Sequence, residues 1–324
     1  MRVLIALGGN AMTAAGGRAR PGDQIAAVTA AMEPVADLVA AGYDVVLTHG
    51  NGPQVGNLLV KNELAASVVP PVPLDWCGAQ TQGTIGFIVI DALERALAAR
   101  GVRRRVAAVV TRTLVDAADP GFARPTKPIG RYLPRDEAAP LIDHGETWED
   151  RGERGWRRVV ASPEPLEVLD APAAAALLAA GFVVVANGGG GIPVVRRPDG
   201  AVEGVEAVVD KDLGAALLGH ALGAETLVIA TDVDGAVLGF GTGQERAVGT
   251  VDVATLRGYA AEGHFASGSM GPKVEAACRF VERGGRRAVI TTLARIADAV
   301  RAEAGGAGTT VLPADITREV AGHA

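Results

Sequence analysis

The sequence predicts an α/β protein whose central, largely parallel sheet is covered by helices on both faces. Three observations carry this. Short β-branched runs alternate with alanine-rich stretches along most of the chain. Apolar residues make up 48% of the sequence and aromatics only 4%, which suits a core built from valine, alanine and leucine. Several of the β-branched runs end directly in glycine-rich turns, as strands that feed helices do.

Taken in order, the first strand is Val3–Leu7, stopped by Gly8-Gly9, and an alanine-rich helix follows over Gln24–Ala41. Val45–Thr48 is the next strand, then helices over Val55–Ala66 and Ile85–Arg100. The strand Val106–Thr111 follows the Arg103-Arg104-Arg105 run, which reads as a solvated helix-to-strand loop. Beyond it, the helix Ala173–Ala180 and the strand Val183–Ala186 account for the longest apolar stretch. Pro172 and Gly181 interrupt that stretch, so it does not read as a membrane span. The helix Asp212–Leu222 and the strand Leu227–Ala230 come next. The chain then gives helices over Val253–Ala261 and Pro272–Arg283, the strand Ala288–Thr291, the helix Leu293–Arg301 and the strand Thr309–Leu312.

One stretch breaks the rhythm. From about Val115 to Pro165 the chain is rich in proline, glycine and charge, carries Tyr132, Trp148 and Trp156, and shows no long helix. An excursion of that length inside a compact domain is a functional element or a small subdomain. The expectation is a single domain over 1–324 with a subdomain at about 115–165 inserted in it. With 324 residues the chain can bury a large core.

Net charge is −6, which argues against a nucleic-acid partner. Cys77 and Cys278 lie far apart with no metal-ligand spacing, which favours a reducing interior. The apolar run Val3–Leu7 is too short for a signal peptide. A soluble, cytoplasmic protein with no membrane partner is expected.

Lysine usage points to chemistry. Against 27 arginines there are four lysines, and three of them lie in turn-rich motifs: Lys127 in Pro-Thr-Lys-Pro-Ile-Gly, Lys211 in Val-Asp-Lys-Asp-Leu-Gly and Lys273 in Gly-Ser-Met-Gly-Pro-Lys. Lysine supplies a compact point charge where arginine supplies a planar fork. A phosphoryl group crossing between two small anions needs point charges. Lys61, within a helical pattern, reads as surface.

The glycine loops complete the pattern. Gly8-Gly9-Asn10 and Gly50-Asn51-Gly52 follow the first two strands, where backbone N–H groups approach an anion closely. Gly188-Gly189-Gly190-Gly191 follows the strand Val183–Ala186, and the run reads as backbone wrapped around a phosphate or a small substrate. His49, at a strand end, reads as a structural hydrogen bonder rather than a base. Asp210 and Asp212 flank Lys211 at a helix start, where they suit the dipole and can orient the ammonium. Thr231-Asp232 suits a nucleotide pocket, and Ser269-Met270-Gly271 before Lys273 suits terminal phosphates at a helix N-terminus. Neither a Walker A motif nor a dinucleotide-binding glycine fingerprint occurs after these strands.

Together these segments resemble the carbamate kinases of the amino-acid-kinase family. The resemblance runs through Ala-Leu-Gly-Gly-Asn at 6–10, Thr-His-Gly-Asn-Gly-Pro-Gln-Val-Gly at 48–56 and Ala-Gln-Thr-Gln-Gly at 79–83. It continues through Pro-Thr-Lys-Pro-Ile-Gly at 125–130, Arg-Arg-Val-Val at 157–160 and Gly-Gly-Gly-Gly-Ile-Pro-Val at 188–194. Gly-Val-Glu-Ala-Val-Val-Asp-Lys-Asp at 204–212 and Gly-Ser-Met-Gly-Pro-Lys-Val at 268–274 complete it. The resemblance implies a three-layer αβα sandwich with a small protruding lid subdomain, a homodimer, Mg²⁺ with ATP or ADP, and the reaction ATP + carbamate ⇌ ADP + carbamoyl phosphate. In many relatives the direction is ATP synthesis after arginine or purine breakdown. Arg131 and Ala161 depart from prolines common in relatives, and a tail from about Ala314 extends further than usual.

On this reading Lys211 and Lys273 stabilise the transferring phosphoryl group, Asp210 orients them, and Lys127 arrives from the lid. Gly8, Gly9, Asn10, Gly50, Asn51, Gly52, Gly189 and Gly190 cradle substrate and phosphate. Asp212, Thr231, Asp232, Ser269, Met270 and Gly271 contact nucleotide, and no protein metal site is expected. The alternatives are another kinase of the family, acting on acetylglutamate, aspartate or uridylate, or a non-catalytic metabolite-sensing module, against which the three retained lysines argue.

Overall fold

The parallel, doubly covered sheet is what forms. The computed structural model describes residues 1–9, 20–143, 145–266, 268–302 and 307–314. Its first half runs β1 (Arg2–Leu7), α1 (Pro21–Ala40), β2 (Asp44–His49), α2 (Gly52–Ala65), α3 (Leu74–Ala99) and β3 (Val106–Ala108). The excursion follows as β4 (Arg112–Val115), α4 (Pro120–Ala123), β5 (Lys127–Leu133), α5 (Arg135–Asp143), β6 (Trp148–Asp150), β7 (Trp156–Val160) and β8 (Pro165–Val168). The chain continues with α6 (Ala171–Ala179), β9 (Val183–Val185), β10 (Ile192–Arg196), β11 (Val202–Gly204), α7 (Lys211–Ala221) and β12 (Thr226–Thr231). The last part holds β13 (Val237–Leu238), β14 (Arg246–Ala247), β15 (Thr250–Asp252), α8 (Val253–Ala261), α9 (Met270–Glu282), β16 (Arg287–Thr292), α10 (Ile296–Arg301) and β17 (Thr309–Leu312).

Eight strands form the main sheet in the order β15-β17-β16-β12-β1-β2-β9-β3. Every pairing is parallel except β16 with β17. All seven strands expected from the sequence lie in this sheet, and all but the edge strand β3 are apolar runs buried on both faces. Alternation then divides the core. Val3, Ile5 and Leu7 of β1 face the layer of α1, α3 and α10. Leu4 and Ala6 face α6, α7, α8 and α9. The result is a three-layer αβα sandwich.

The elements not expected from the sequence are short or polar. One is Thr250–Asp252 at the sheet edge, and another is a second sheet, β11-β10-β4-β8. The strand expected over Val106–Thr111 stops at Ala108, and the chain crosses from the main sheet into this second one. Helix α3 begins at Leu74, eleven residues before the expected Ile85, so Ala79–Gly83 lies inside a helix rather than in a loop. Its glycines and polar residues hide the helical period. Arg104 is no solvated loop residue: it holds Asp44 at 2.7 Å and donates to the Tyr43 and Gly181 carbonyls.

Within 115–165, β5, β7 and β6 form a separate antiparallel sheet. Leu133, Ala138 and Trp148 make a small core of its own, with Leu141 and Trp156 packed against it. Ile129 and Val160 join Val55, Leu59, Leu74 and Cys77, fastening this sheet over α2 and α3. Gly130 adopts φ +66°, and a side chain at Gly56 would stand 3.5 Å from the Gly130 Cα. The sheet therefore rests on α2 with backbone against backbone.

Candidate functional site

Open parallel sheets place ligands beyond the carboxyl ends of their strands, and a cavity of this protein lies there. It has a volume of about 540 Å³ and runs past the ends of β2, β1 and β12, roofed on one side by β5 and β7. The first residues of three helices border it: Gly52 of α2, Lys211 of α7 and Met270 of α9. Each presents the positive end of a dipole, although at α7 the first free amides are capped by Asp210.

Lys127, Lys211 and Lys273 all line this cavity. Their pairing differs from the expected one. The Lys211 ammonium lies 2.5 Å from Asp212 Oδ1, and the Lys273 ammonium lies 2.9 Å from Asp212 Oδ2. Asp212 therefore holds both, not Asp210. Asp210 instead accepts three bonds: from Lys127 at 2.7 Å, and from the Asp212 and Leu213 amides as the cap of α7. Sequence reasoning places the two carboxylates correctly at the start of a helix. It cannot tell which of them points along the helix towards α9.

Burial of Asp212 by itself disfavours its charge, but two ammonium groups outweigh that and hold the carboxyl down at about 2. Lys211 is shifted down, by burial first and by the neighbouring Lys273, against the pull of Asp212. Burial thus lowers Lys211, whereas the two ammonium groups lower Asp212. Three ammonium groups against two carboxylates leave a positive surplus at the centre of the cavity. That surplus, with three helix N-termini, makes a seat for a polyanion.

The loops after β1 and β2 meet closely. A side chain at Gly50 would stand 2.7 Å from the Gly9 nitrogen and 3.3 Å from the Lys211 stem. Gly8, Gly9, Gly50, Asn51 and Gly52 line the cavity, with Asn51 fixed by its amide donating to Thr81 at 2.9 Å. Asn10 lies outside the described residues, as do Ser267 and the tail beyond Ala314. Thr231, Asp232, Ser269 and Met270 are on the wall. Gly190 and Gly271 are not.

The four-glycine run is a packing hub as well as a loop. A side chain at Gly188 would strike the His49 ring at 2.3 Å, one at Gly190 the Val209 carbonyl at 2.5 Å, and one at Gly191 the Thr113 hydroxyl at 2.0 Å. Of the four, only Gly189 reaches the cavity, above Asn51. Gln82 of α3 staples the run, donating to the Gly188 and Thr111 carbonyls and accepting from the Thr111 amide. Gly188, Gly190 and Gly191 are therefore required by packing, which the sequence reading does not expect of them. Gly271 likewise closes a turn, its amide donating to the Ala266 carbonyl at 2.9 Å.

His49 is buried, with Nδ1–H donating to the Gly50 carbonyl at 2.9 Å. Burial, then the charge on Lys211, lowers its pKa from 6.5 to about 4. A histidine held neutral by the fold costs stability as the unfolded chain takes up a proton. The loss builds as pH falls from 6.5 towards 4 and amounts to roughly 3 kcal/mol. NMR of the imidazole should find the neutral Nδ1–H form intact at pH 5. Titration near its ordinary value would contradict this.

Arg157 is a site residue that the sequence reading does not single out. It lies on β7, lines the cavity and stands 4.9 Å over the Tyr132 ring. Its only signal is its place in the Arg-Arg-Val-Val segment. Lys61 is exposed on α2, as read from the sequence.

The model of the Amino acid kinase family matches residues 1–292. The chain belongs to that family. It is 44% identical to a carbamate kinase of Pyrococcus furiosus over 96% of this chain and 99% of the relative. It is 46% identical to a carbamate kinase-like protein, YahI, of Escherichia coli over 94% of this chain and 97% of the relative. Among solved structures it is similar to a Giardia lamblia carbamate kinase bound to AMP-PNP, with a TM-score of 0.89 and 38% identity, covering 96% and 98% of the two chains. These relatives are kinases, and the chain shares their fold. No helix among the described residues is long and apolar enough to cross a membrane.

Proposed function

We propose that the chain is a carbamate kinase, catalysing ATP + carbamate ⇌ ADP + carbamoyl phosphate. The observation that carries the reading is the arrangement around Asp212, which holds Lys211 and Lys273 side by side on a cavity that Lys127 also enters. Carbamate attacks the terminal phosphorus of ATP through a carboxylate oxygen, and the bond from that phosphorus to the bridging oxygen of ADP breaks. No proton moves, so no base is needed. The work is to hold two anions in line and to spread charge on the transferring group.

In this reading Lys211 and Lys273 receive that charge, and Asp212 keeps them fixed. Gly8, Gly9 and the start of α2 hold the carbamoyl end, while Thr231, Asp232 and the start of α9 hold the nucleotide end. The sheet order supports this division, since β1 lies between β2 and β12. The insert at 115–165 serves as a lid that brings Lys127 and Arg157 over the acceptor. Until substrate arrives, Asp210 holds Lys127 in place.

Among the described residues no three His, Cys, Asp or Glu groups gather as a metal cage. Asp210 and Asp212 are already taken by lysines, so Mg²⁺ would ride on the nucleotide phosphates, with Asp232 a carboxylate lining that end. When bound it would neutralise phosphate charge. A cytoplasmic enzyme running towards ATP synthesis in arginine breakdown, and a homodimer, complete the reading. Trp76 and Phe87 stand exposed on α3 at 60% and 63%, and Val110 nearby at 58%, which supports an association face there.

The deciding experiment is ATP formation from ADP and carbamoyl phosphate by the purified protein with Mg²⁺. Turnover with carbamoyl phosphate is expected. Phosphorylation of acetylglutamate, aspartate or uridylate in its place would move the chain to another activity of the family. No turnover with any of them would favour a sensing module.

A further inference from the structure

A hydrogen-bond relay from helix α3 fixes one side chain at the carbamoyl end of the cavity. Thr81, only 2% exposed, lies within the polar Gly78–Gly83 segment of that helix. Its hydroxyl donates to the Gly78 carbonyl at 2.7 Å, and its oxygen accepts from the Asn51 amide at 2.9 Å. The relay can run in one direction only. A carbonyl accepts and never donates, so the single hydroxyl hydrogen of Thr81 is committed to Gly78. Thr81 then has only lone pairs to offer Asn51, which must present Nδ2 to it. Asn51 Oδ1 is thereby turned the other way.

Asn51 forgoes its ordinary use in this arrangement. It stands at the N-cap of α2, where an asparagine side chain usually accepts from the first free amides of its helix. No such bond forms here. The amide packs instead over Gly189, where a side chain would come within 2.2 Å of Nδ2 and 2.8 Å of Oδ1. Among the described residues nothing donates to Oδ1, and the atom is not sealed away from the cavity that Asn51 lines. The relay thus holds a hydrogen-bond acceptor open in a place made for anions. On the same wall Lys127, Lys211 and Arg157 are donors, and the carboxylates of Asp210 and Asp212 are held by lysines. A bare anion has no use for such an acceptor. A substrate carrying an N–H group beside its acyl phosphate does.

We propose that Thr81 is a positioning residue: through Asn51 it sets an acceptor for the amino group of the carbamoyl substrate, and so selects carbamoyl phosphate over acyl phosphates that lack an N–H. The inference rests on the kinase reading above for the presence of an acyl phosphate at this end of the cavity. Acetyl phosphate puts a methyl group in the same place and leaves Oδ1 unpaired, a loss that a polar site penalises.

The test is ATP formation from ADP with carbamoyl phosphate and with acetyl phosphate, by the parent, Thr81→Val, Thr81→Ser and Asn51→Ala. Valine keeps the shape of threonine and removes the relay, whereas serine keeps the relay. The parent should prefer carbamoyl phosphate in kcat/KM. Thr81→Val should narrow that preference about tenfold through a raised KM for carbamoyl phosphate, with acetyl phosphate and the KM for ADP within about twofold of the parent. Thr81→Ser should keep the parent's preference. Asn51→Ala should narrow it as Thr81→Val does, and it reads the acceptor directly even where Thr81→Val does not fold. A merely structural role for Thr81 would lower both phosphates alike. Such an equal fall, an unchanged ratio in Thr81→Val or Asn51→Ala, or a lost preference in Thr81→Ser overturns the proposal. A parent that uses the two phosphates equally overturns it and leaves the kinase reading in place. A parent that turns over no carbamoyl phosphate removes the carbamate kinase reading, and the inference with it.

Discussion

Asp212→Asn is expected to lower ATP formation from ADP and carbamoyl phosphate on the order of 10³-fold, and to destabilise the protein as well. Asp212 is 3% exposed and is the shared partner of Lys211 and Lys273. The amide is the same size but carries no charge. Two ammonium groups then face each other across a buried gap, and the fold relieves this by releasing a proton from one of them or by parting them. Either response removes a cation from the place where phosphoryl charge gathers. Leaving a buried charge unpaired costs about 3–5 kcal/mol, which a denaturant midpoint would read directly. Lys211→Ala and Lys273→Ala provide the comparison. Each should lose turnover on a similar scale with less loss of stability, because one cation remains paired with Asp212. Near-parental turnover in Asp212→Asn would remove the basis for the proposed chemistry.

Lys127→Arg is expected to reduce turnover about 10²-fold or more while keeping the positive charge. Lys127 reaches Asp210 from β5 as a single ammonium at 2.7 Å, and Asp210 also caps α7 through the Asp212 and Leu213 amides. A guanidinium on this stem is longer and planar and would grip the Asp210 carboxylate with two N–H groups. The insert would then be fastened to the start of α7 with its charge turned away from the acceptor. Lys127 is 35% exposed in its side chain, so the substitution should leave stability nearly unchanged. The useful readout is the split between parameters. Loss confined to kcat, with the KM for ADP unmoved, fits a group acting on the transferring phosphoryl end. Equal activity of Lys127→Arg and the parent would show that charge alone is needed and shape is not.

Much of this site is legible in the order of residues. The three lysine motifs and the loops at Gly8-Gly9 and Gly50–Gly52 all reach one cavity. Their residue types are chemically committed: a lysine retained among arginines, or two glycines closing a strand, has few structural uses. The residues that mislead are those with two physical roles. Gly190 and Gly191 look like ligand loop but are required by the Val209 carbonyl and the Thr113 hydroxyl. Asp210 and Asp212 are chemically identical neighbours, and their places on the first turn of the helix decide which lysines each can reach. Helix α3 reads short because the Gly78–Gly83 segment lacks an apolar stripe, although Thr81 and Gln82 inside it fasten Asn51 and the glycine run.

From residue order alone follow the parallel sheet, the seven strands at its heart and the presence of a phosphate-handling site. Hydrophobic period and glycine placement are local properties that the chain carries wherever it goes. Pairing is settled in three dimensions. That Asp212 and not Asp210 joins Lys211 to Lys273, that Arg157 reaches the cavity, and that a second sheet exists at all depend on contacts between segments tens of residues apart. Such contacts follow from which surfaces pack when the core closes, and local pattern holds no record of them.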